Sequence, residues 1–499
     1  MKIDLISGSY QQKYQDISSE RTINWSFSSF NQNEQAKNSK ALYPTPGLSL
    51  YCTISGRYYR KGIVANTTKY SRAFIVIDNT LWEVNTNFTV TNRGTLTNIP
   101  IGSSRLWMFV NGNQEVYIGS FNAGYVFNMD TNTLTQITDT NYPTTVVSAA
   151  YSDGYLFVVS GAGTTNPNPG FVIFCVANSF LNWTGTSGQQ AFHPTFKASG
   201  SIAVAAFKDK MYIFSKETIE PYYEDGSTAI WSRYPASIIK TGATIANTIS
   251  VFDQGIIFVG KSDNGQAQVY LLSDQSAPQS LSNLSPSIQW ALNSKREALN
   301  GTYSYIQINK EGQTLYYLTC PELQTTFVFN LLSGQWTERQ STQPFSNVDG
   351  AQNQDIFRGA DYLNFNGYNL FPDVYSGNLY YEDYSNYTEN NTYIKRTRIS
   401  STYNVDYKNI SVNSFEVDVT KGVGVLTSIP TLMFEKSING GRTYRQPTNI
   451  LLSAQGDYLY RSRTTKLGAG RNWVLKLTIT DPADIMIQQA YANGEVGQY

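Results

Sequence analysis

The sequence is poor in cysteine, histidine and charge. Its 499 residues include 3 cysteines and 1 histidine, and 37 basic side chains balance 37 acidic ones. The cysteines Cys52, Cys175 and Cys320 are too far apart for a dense disulfide framework or for close-spaced zinc ligands. We therefore expect each to be a small buried hydrophobe, and we expect no metal site and no cofactor. Zero net charge also argues against a protein whose main task is to grip a polyanion.

Long apolar runs are missing as well. No stretch approaches the ~18 apolar residues that span a bilayer. The N-terminal sequence MKIDLISGSYQQKYQDI has no apolar core of the kind found in signal peptides. We expect neither a membrane span nor a secretion signal.

The residues that common catalytic sites require are scarce. His193 is the single imidazole, and no G-x-S-x-G elbow surrounds any serine, so a Ser-His-Asp triad has little support. A pair of carboxylates for glycoside hydrolysis needs only two acids close in space. The candidates lie in one aromatic stretch and are equally typical of a solvated loop: Asp361, Asp373, Glu382 and Asp383. The sequence predicts that the protein is not an enzyme.

Aromatic and small polar residues are abundant in this sequence, whereas charged residues are few. Aromatics make up 14% of the chain, and tyrosine leads with 36 residues. Apolar runs of four to seven residues alternate with Asn, Asp, Gly and Ser, a pattern typical of short strands and turns. The clearest runs begin at residues 73, 116, 155, 211, 255 and 314, and residues 361–381 resemble a further one.

Spacings of this size favour four-stranded propeller blades of ~40–50 residues. We predict a mainly-β protein with a propeller of about six or seven irregular blades, and a set of stacked sandwiches is the alternative. The only helical pattern covers Ser285 to Leu299, where a connector helix is expected.

The composition divides the chain into three parts. Residues 1–50 are polar and irregular and are interpreted as an N-terminal arm that lies over another part of the molecule. Residues 51–390 hold the blade pattern. Residues 391–499 contain 13 basic and 8 acidic side chains and better alternation, which predicts a β-sandwich or platform domain.

Two basic clusters occur in the last part. One contains Lys395, Arg396 and Arg398; the other contains Arg461, Arg463, Lys466 and Arg471. Each cluster could face a phosphate backbone, and a solvated strand edge kept from pairing by its charge is the alternative. Between them, Ser437 to Tyr444 is similar to the Asp-box hairpin, with Asn439 in the place of the aspartate. That turn indicates a β-hairpin and not catalysis.

Three motifs resemble one known family. Near the N-terminus stand Glu20-Arg21-Thr22-Ile23-Asn24-Trp25 and then Leu42-Tyr-Pro-Thr-Pro46-Gly47-Leu48. In the centre stands Phe207 to Tyr222, which contains Ser215-Lys-Glu-Thr218-Ile219-Glu220. Near the C-terminus stand the strand Trp473 to Ile479, then Asp481-Pro482 and Ile485 to Ala490. Together they resemble the tail-hub, or packaged-DNA stabilisation, proteins of short-tailed bacteriophages.

The resemblance implies a structural virion protein. Six copies would form a nozzle ring below the portal–adaptor assembly, in the virion tail, after assembly in the host cytoplasm. The ring would bind a distal needle, fibre or further tail ring, and genomic DNA would pass through its lumen without sequence specificity. Arg461, Arg463, Lys466 and Arg471 are the candidates to face that DNA. The alternative is a phage or cell-surface carbohydrate-binding, or sialidase-like, propeller.

Overall fold

A computed structural model gives the fold. It describes residues 2–497 apart from 13, 30–39, 103, 162–168, 186–187, 190, 195–199, 227–230, 235–237, 262–266, 275–276, 283–300, 343–355, 375 and 424–427. The helix predicted over 285–299 lies outside the described residues. Two single-turn 3₁₀ helices, Ala246–Thr248 and Pro321–Leu323, interrupt the strands.

The first five strands serve two different parts of the molecule. They are β1 Lys2–Ile3, β2 Arg21–Ile23, β3 Trp25–Ser29, β4 Lys40–Pro44 and β5 Gly47–Thr53. The first four join the C-terminal sandwich, whereas β5 joins the last propeller blade. The predicted arm therefore pairs with strands from the far end of the chain, as Arg21 does with Ile399 and Gly47 with Asp383.

The centre of the chain forms seven blades. Blade one comprises β6 Tyr59–Asn66, β7 Ser71–Ile77, β8 Thr80–Val84 and β9 Val90–Thr95, and blade two comprises β10 Trp107–Val110, β11 Glu115–Gly119, β12 Gly124–Asn128 and β13 Thr133–Gln136. Blade three comprises β14 Val146–Ser152, β15 Tyr155–Ser160, β16 Val172–Phe174 and β19 Ala191–Phe192. Blade four comprises β20 Ala203–Phe207, β21 Lys210–Phe214, β22 Ile219–Glu224 and β23 Trp231–Arg233. A small hairpin, β17 Thr184–Gly185 and β18 Gly188–Gln189, extends from blade three.

The other three blades are less regular. Blade five comprises β24 Gly242–Ala243, β25 Ser250–Phe252, β26 Gly255–Lys261, β27 Gln268–Leu272 and β28 Gln279–Ser280. Blade six comprises β29 Tyr303–Ile308, β30 Thr314–Cys320, β31 Thr325–Asn330 and β32 Gln335–Glu338. Blade seven comprises β33 Leu363–Phe365, β34 Tyr368–Pro372 and β35 Asn378–Asp383. The six clearest apolar runs of the sequence lie on β7, β11, β15, β21, β26 and β30, the second strand in the sheet order of blades one to six. The prediction of a propeller with about six or seven blades is confirmed, and the described residues form seven.

Neighbouring blades bury their apolar faces against each other. Phe74 of blade one and Phe127 of blade two, for example, are both fully buried, and their ring centroids lie 5.2 Å apart. Close packing of this kind makes each blade depend on the next, so the ring has to close for the first and last blades to be buried. Strand β5 closes it by pairing antiparallel with β35 at the outer edge of blade seven.

An ion pair joins blades one and seven on the inner side. The Nζ atom of Lys61 lies 2.7 Å from Oδ2 of Asp361, and the Tyr59 hydroxyl donates to the same oxygen at 2.8 Å. Burial alone would raise the pKa of Asp361, but the charges of Lys61 and Arg105 and these two hydrogen bonds outweigh it and lower the pKa.

This lowered pKa predicts a pH-dependent stability. An aspartate titrates at about 3.9 in the unfolded chain, so the stabilisation is complete above that pH and is lost as the pH falls through the lower folded-state pKa. We expect the difference in free energy of unfolding between wild type and Asp361→Asn, measured with urea, to be largest near neutral pH and to shrink as the pH falls below about 3.9. A difference that does not change with pH would show that the carboxylate charge is not the source of the stabilisation.

The C-terminal part forms a β-sandwich. After the short strands β36 Thr388–Glu389 and β37 Thr392–Tyr393, it contains β38 Arg396–Ile399, β39 Ile410–Val419, β40 Thr431–Ser437, β41 Thr448–Leu451, β42 Arg463–Gly470, β43 Val474–Ile479 and β44 Ile487–Val496. One sheet has the order β3-β4-β44-β39-β42, and β1 also pairs with β44. The core between the sheets includes Trp25 and Phe27 of β3, together with Phe415 and Phe434, whose rings stack 4.7 Å apart.

The second sandwich sheet is continuous with blade six. Strand β2 pairs in parallel with β32 through Ile23 and Glu338, and antiparallel with β38 through Arg21 and Ile399. The result is a nine-stranded sheet with the order β29-β30-β31-β32-β2-β38-β43-β40-β41. Backbone hydrogen bonds therefore connect the propeller to the sandwich.

The Asp-box-like turn satisfies its own polar groups, as the sequence predicts. Oγ of Ser437 accepts from the Gly441 amide at 3.0 Å, and Oδ1 of Asn439 accepts from the Thr443 amide at 3.1 Å. Gly441 has φ of +88°, a conformation that favours glycine. The turn lies between β40 and β41 of the sandwich and not in a propeller blade.

The cysteines are buried free thiols. Burial raises the pKa of Cys52, Cys175 and Cys320 to about 12 each, so they remain protonated and act as small hydrophobes. Among the described residues, no group of three or more His, Cys, Asp and Glu side chains has an arrangement suited to a metal ion. Within the same part of the chain, no helix is long and apolar enough to cross a membrane.

Candidate nucleic-acid interface and the propeller–sandwich junction

The four basic residues predicted to face DNA lie along one edge of the sandwich. Arg463 and Lys466 are on β42, Arg461 precedes this strand and Arg471 follows it. Strand β42 is the last in its sheet order, and in the described part of the chain its one paired neighbour is β39. All four side chains are exposed, so the edge presents a row of cations to solvent.

One of these cations is already neutralised. The Arg461 guanidinium donates to both carboxylate oxygens of Glu416, at 2.9 and 2.5 Å. These hydrogen bonds lower the pKa of Glu416, and the charge of Arg463 contributes in the same direction. The Arg471 guanidinium lies 5.9 Å from the ring centroid of the exposed Tyr407. Such an edge can attract phosphate groups.

The other basic cluster is not a surface feature, and both interpretations of it were wrong. Arg396 and Arg398 are fully buried, and only Lys395 is exposed. Arg396 donates to the carbonyl oxygens of Asp481 at 2.6 Å and Ala483 at 2.9 Å. A strand at the centre of a sheet alternates its faces, so both arginines of the Arg-Thr-Arg sequence point to the same buried side.

Arg398 binds the N-terminal segment. Its Nε donates to the Leu5 carbonyl at 2.6 Å, and its Nη1 donates to the Gly8 carbonyl at 3.1 Å and the Thr22 hydroxyl at 2.7 Å. Its Nη2 forms an ion pair with Glu20 at 2.5 Å. This guanidinium therefore fixes the segment from Leu5 to Thr22 to β38.

The N-terminal motif residues build the junction between propeller and sandwich. Arg21 forms an ion pair with Glu338 at the end of blade six. Asn24 has φ of +59°, and its side-chain nitrogen donates to the carbonyls of Gln340 and Lys395, at 2.9 Å each. Trp25 is 1% exposed and belongs to the sandwich core. Asparagine tolerates the left-handed conformation, which accounts for its place between two strands that diverge.

The Pro46-Gly47 pair marks the passage from the sandwich to blade seven. The Pro46 carbonyl accepts a hydrogen bond from Arg339 at 3.1 Å. A Cβ atom on Gly47 would lie 2.4 Å from the carbonyl oxygen of Thr388, so close backbone approach requires glycine here. Trp25, Pro46 and Arg339 also line a cleft of about 340 Å³ at this junction.

The central motif lies elsewhere, in blade four. Thr218, Ile219 and Glu220 are each about 1% exposed or less, and they lead into the third strand of that blade. The Thr218 carbonyl accepts from the Ser215 amide at 2.8 Å and closes the turn between β21 and β22. The structure thus gathers the N-terminal motif residues at the junction, separates them from the blade-four motif, and gives all of them structural roles.

Two family models match the chain. One describes the β-propeller of bacteriophage P22 Gp10 and matches residues 1–386; the other describes the β-sandwich of the same protein and matches residues 395–495. The chain belongs to the bacteriophage P22 Gp10 family. This Gp10-family chain is a structural protein of the phage tail that acts in the stabilisation of packaged DNA.

Other comparisons add little to the Gp10 assignment. Comparison with curated protein sequences found no match. The extracellular domain of the putative hybrid two-component system BT4673 of B. thetaiotaomicron is 10% identical, with a TM-score of 0.43; the match covers 76% of this chain and 44% of that one. The N-terminal domain of Nup159 is 9% identical, with a TM-score of 0.37 and coverage of 76% and 99%. This chain spans less than half of the BT4673 domain.

Two of the four acids proposed for glycoside hydrolysis, Asp361 and Glu382, already have polar partners in this Gp10-family chain. Glu382 is buried and accepts hydrogen bonds from Gln307 at 3.0 and 3.1 Å and from Asn369 at 2.9 Å. Asp361 is paired with Lys61, as described above. His193 is half-buried against the ring of Phe171, with centroids 5.0 Å apart. These three residues have different neighbours, so the structure does not bring them together as a catalytic set.

Proposed function

We propose that this protein is a tail hub, or nozzle. In this proposal six copies close into a ring below the portal–adaptor assembly, a distal needle, fibre or further ring caps it, and its lumen retains the packaged DNA and conducts it during ejection. Membership of the Gp10 family is the observation that carries the proposal. The sheet that continues from blade six into the sandwich supports it, since a ring of identical subunits needs fixed angles between its interfaces.

We propose further that the β42 edge faces the lumen. Its exposed cations concentrate positive charge in a chain whose net charge is zero. A few exposed cations give a modest attraction to DNA that salt screens. The edge would therefore guide DNA through the channel, and retention would be mainly steric.

The test is neutralisation of Arg461, Arg463, Lys466 and Arg471 to glutamine in the phage. We expect particles to stay filled, with at most altered ejection kinetics, whereas particles without the protein should lose their DNA. A control variant neutralises four exposed propeller cations, Arg57, Lys69, Lys208 and Lys310. Mass measurement with portal and adaptor establishes that six-membered rings still assemble. Empty particles from the first variant, with rings intact, would show that charge and not steric closure retains the genome.

The proposal includes no catalytic role. Asp361 is held by an ion pair with Lys61, Glu382 accepts hydrogen bonds from Gln307 and Asn369, and the single histidine packs on an aromatic ring. We expect the purified protein to leave host surface polysaccharide intact. Hydrolysis that is lost in Glu382→Gln, with folding unchanged, would contradict this expectation and favour the sialidase-like alternative.

A further inference from the structure

The inner strands of the blades enclose a central cavity that the proposed function does not use. Its volume is about 400 Å³, and residues of all seven blades line it. Short side chains leave the space open, among them Ala149 and Ala150 of blade three, Ala205 and Ala206 of blade four, and Ser304 of blade six. A cavity of this size suits a small molecule.

The charges that line the cavity do not cancel. Among the described lining residues the charged ones are Lys61, Arg105 and Asp361. The carboxylate of Asp361 forms an ion pair with Lys61 and also accepts a hydrogen bond from the Tyr59 hydroxyl. One positive charge, that of Arg105, is therefore left over inside the cavity.

Arg105 is held in place with most of its donors unused. Its guanidinium carbon lies 3.9 Å from the ring centroid of Tyr303 and 5.5 Å from that of Tyr59. Its Nη2 donates to the Ala360 carbonyl at 2.8 Å, which is its one side-chain hydrogen bond to the described residues. A guanidinium has five N–H donors in a planar fork that matches carboxylate and phosphate oxygens. Stacking on Tyr303 orients this fork before any ligand arrives.

About half of the cavity wall is apolar. Half-buried side chains of several blades line it, including Trp107, Phe109, Tyr151, Ile249 and Ile306. An oriented cation beside an apolar and aromatic wall fits a molecule with one anionic group and an apolar body. We propose that the central cavity binds a small organic anion, with its carboxylate or phosphate group on Arg105 and its apolar part among these side chains.

The test measures binding by calorimetry with the purified full-length protein. The probes are benzoate, phenyl phosphate, inorganic phosphate and, as the neutral control, benzyl alcohol. We expect benzoate or phenyl phosphate to bind once per chain and at least ~10-fold more tightly than benzyl alcohol, since a charge-assisted hydrogen bond is worth about 1.5–3 kcal/mol. Inorganic phosphate should bind more weakly than phenyl phosphate if the apolar wall contributes.

Three variants locate the site. Arg105→Gln should weaken binding of the anion ~10-fold or more. Ala206→Phe fills the cavity without changing a charge and should abolish binding. Arg57→Gln removes an exposed arginine outside the cavity and should leave the affinity within about 2-fold of wild type.

Several results would overturn the proposal. They are the absence of saturable binding of all three anions to the folded wild type, equal affinity in Arg105→Gln and wild type, or benzyl alcohol binding as tightly as benzoate. If Arg105→Gln fails to fold, Ala206→Phe decides, since it keeps all three charges. Because these measurements use free protein and no phage particles, their failure leaves the proposed tail function untouched.

Discussion

Replacing Arg398 by glutamine is expected to lower the free energy of unfolding by about 3–5 kcal/mol. The guanidinium is fully buried, it is paired with Glu20, and it donates to the carbonyls of Leu5 and Gly8. Glutamine is too short to reach these acceptors, so the substitution leaves a partly buried carboxylate and several carbonyls without their donor. Removal of one partner from a buried pair costs more than the pair itself contributes.

Lys395→Gln is the matched control for Arg398. It changes a basic residue three positions earlier whose side chain is exposed, and a surface substitution of this kind stays within about 0.5 kcal/mol. Chemical denaturation of both variants gives the comparison. An Arg398→Gln variant as stable as Lys395→Gln would mean that the N-terminal segment is not held by this guanidinium.

The second large effect is expected for Trp25→Ala, at about 3–5 kcal/mol. Trp25 is 1% exposed in the core between the two sandwich sheets, and it follows directly on the strand that connects the sandwich to blade six. Its removal leaves a cavity at the place where the N-terminal segment, the sandwich and the propeller meet. We expect proteolysis of the variant near the junction to accelerate, because this is where packing is lost.

Trp25→Phe shows how much of the loss in stability in Trp25→Ala comes from the lost side-chain volume. Phenylalanine keeps an aromatic ring in the core and should cost less than alanine. Tyr14→Ala is a control in the same segment, since this side chain is 65% exposed. Equal stability of Trp25→Ala and Tyr14→Ala would contradict the assignment of this segment to the sandwich core.

The sequence predicts the local parts of this fold well. The apolar runs at Ala73, Val116, Tyr155 and the corresponding later positions each coincide with the second strand of a blade, because a strand buried on both faces is recognisable from composition alone. The Ser437–Tyr444 turn is likewise encoded by its own side chains. Pairings between distant segments are different, since nothing in the sequence of β5 specifies β35 as its partner.

The buried arginines show the same limit for the candidate sites. A run such as Lys395-Arg396-Thr-Arg398 looks like a surface cluster, because charge is usually solvated. The partners of Arg396 are backbone carbonyls, and those of Arg398 are carbonyls of a remote segment together with Glu20 and Thr22. No pattern in the sequence near these arginines reveals such distant acceptors. The exposed row at Arg461 to Arg471 has the same composition, so sequence alone could not distinguish the two clusters.

The pairing of β5 with β35 has a consequence for the time course of synthesis. Ser49 and Asp383, which are hydrogen-bonded across these strands, are 334 residues apart. At a synthesis rate of about 5–20 residues per second, the N-terminal segment waits on the order of 20–70 s for its partner strand to leave the ribosome. During this interval the apolar side chains of Trp25, Phe27 and Leu42 have no sandwich to enter. The nascent chain therefore carries these apolar side chains without their packing partners until the sandwich strands that follow the last blade have been synthesised.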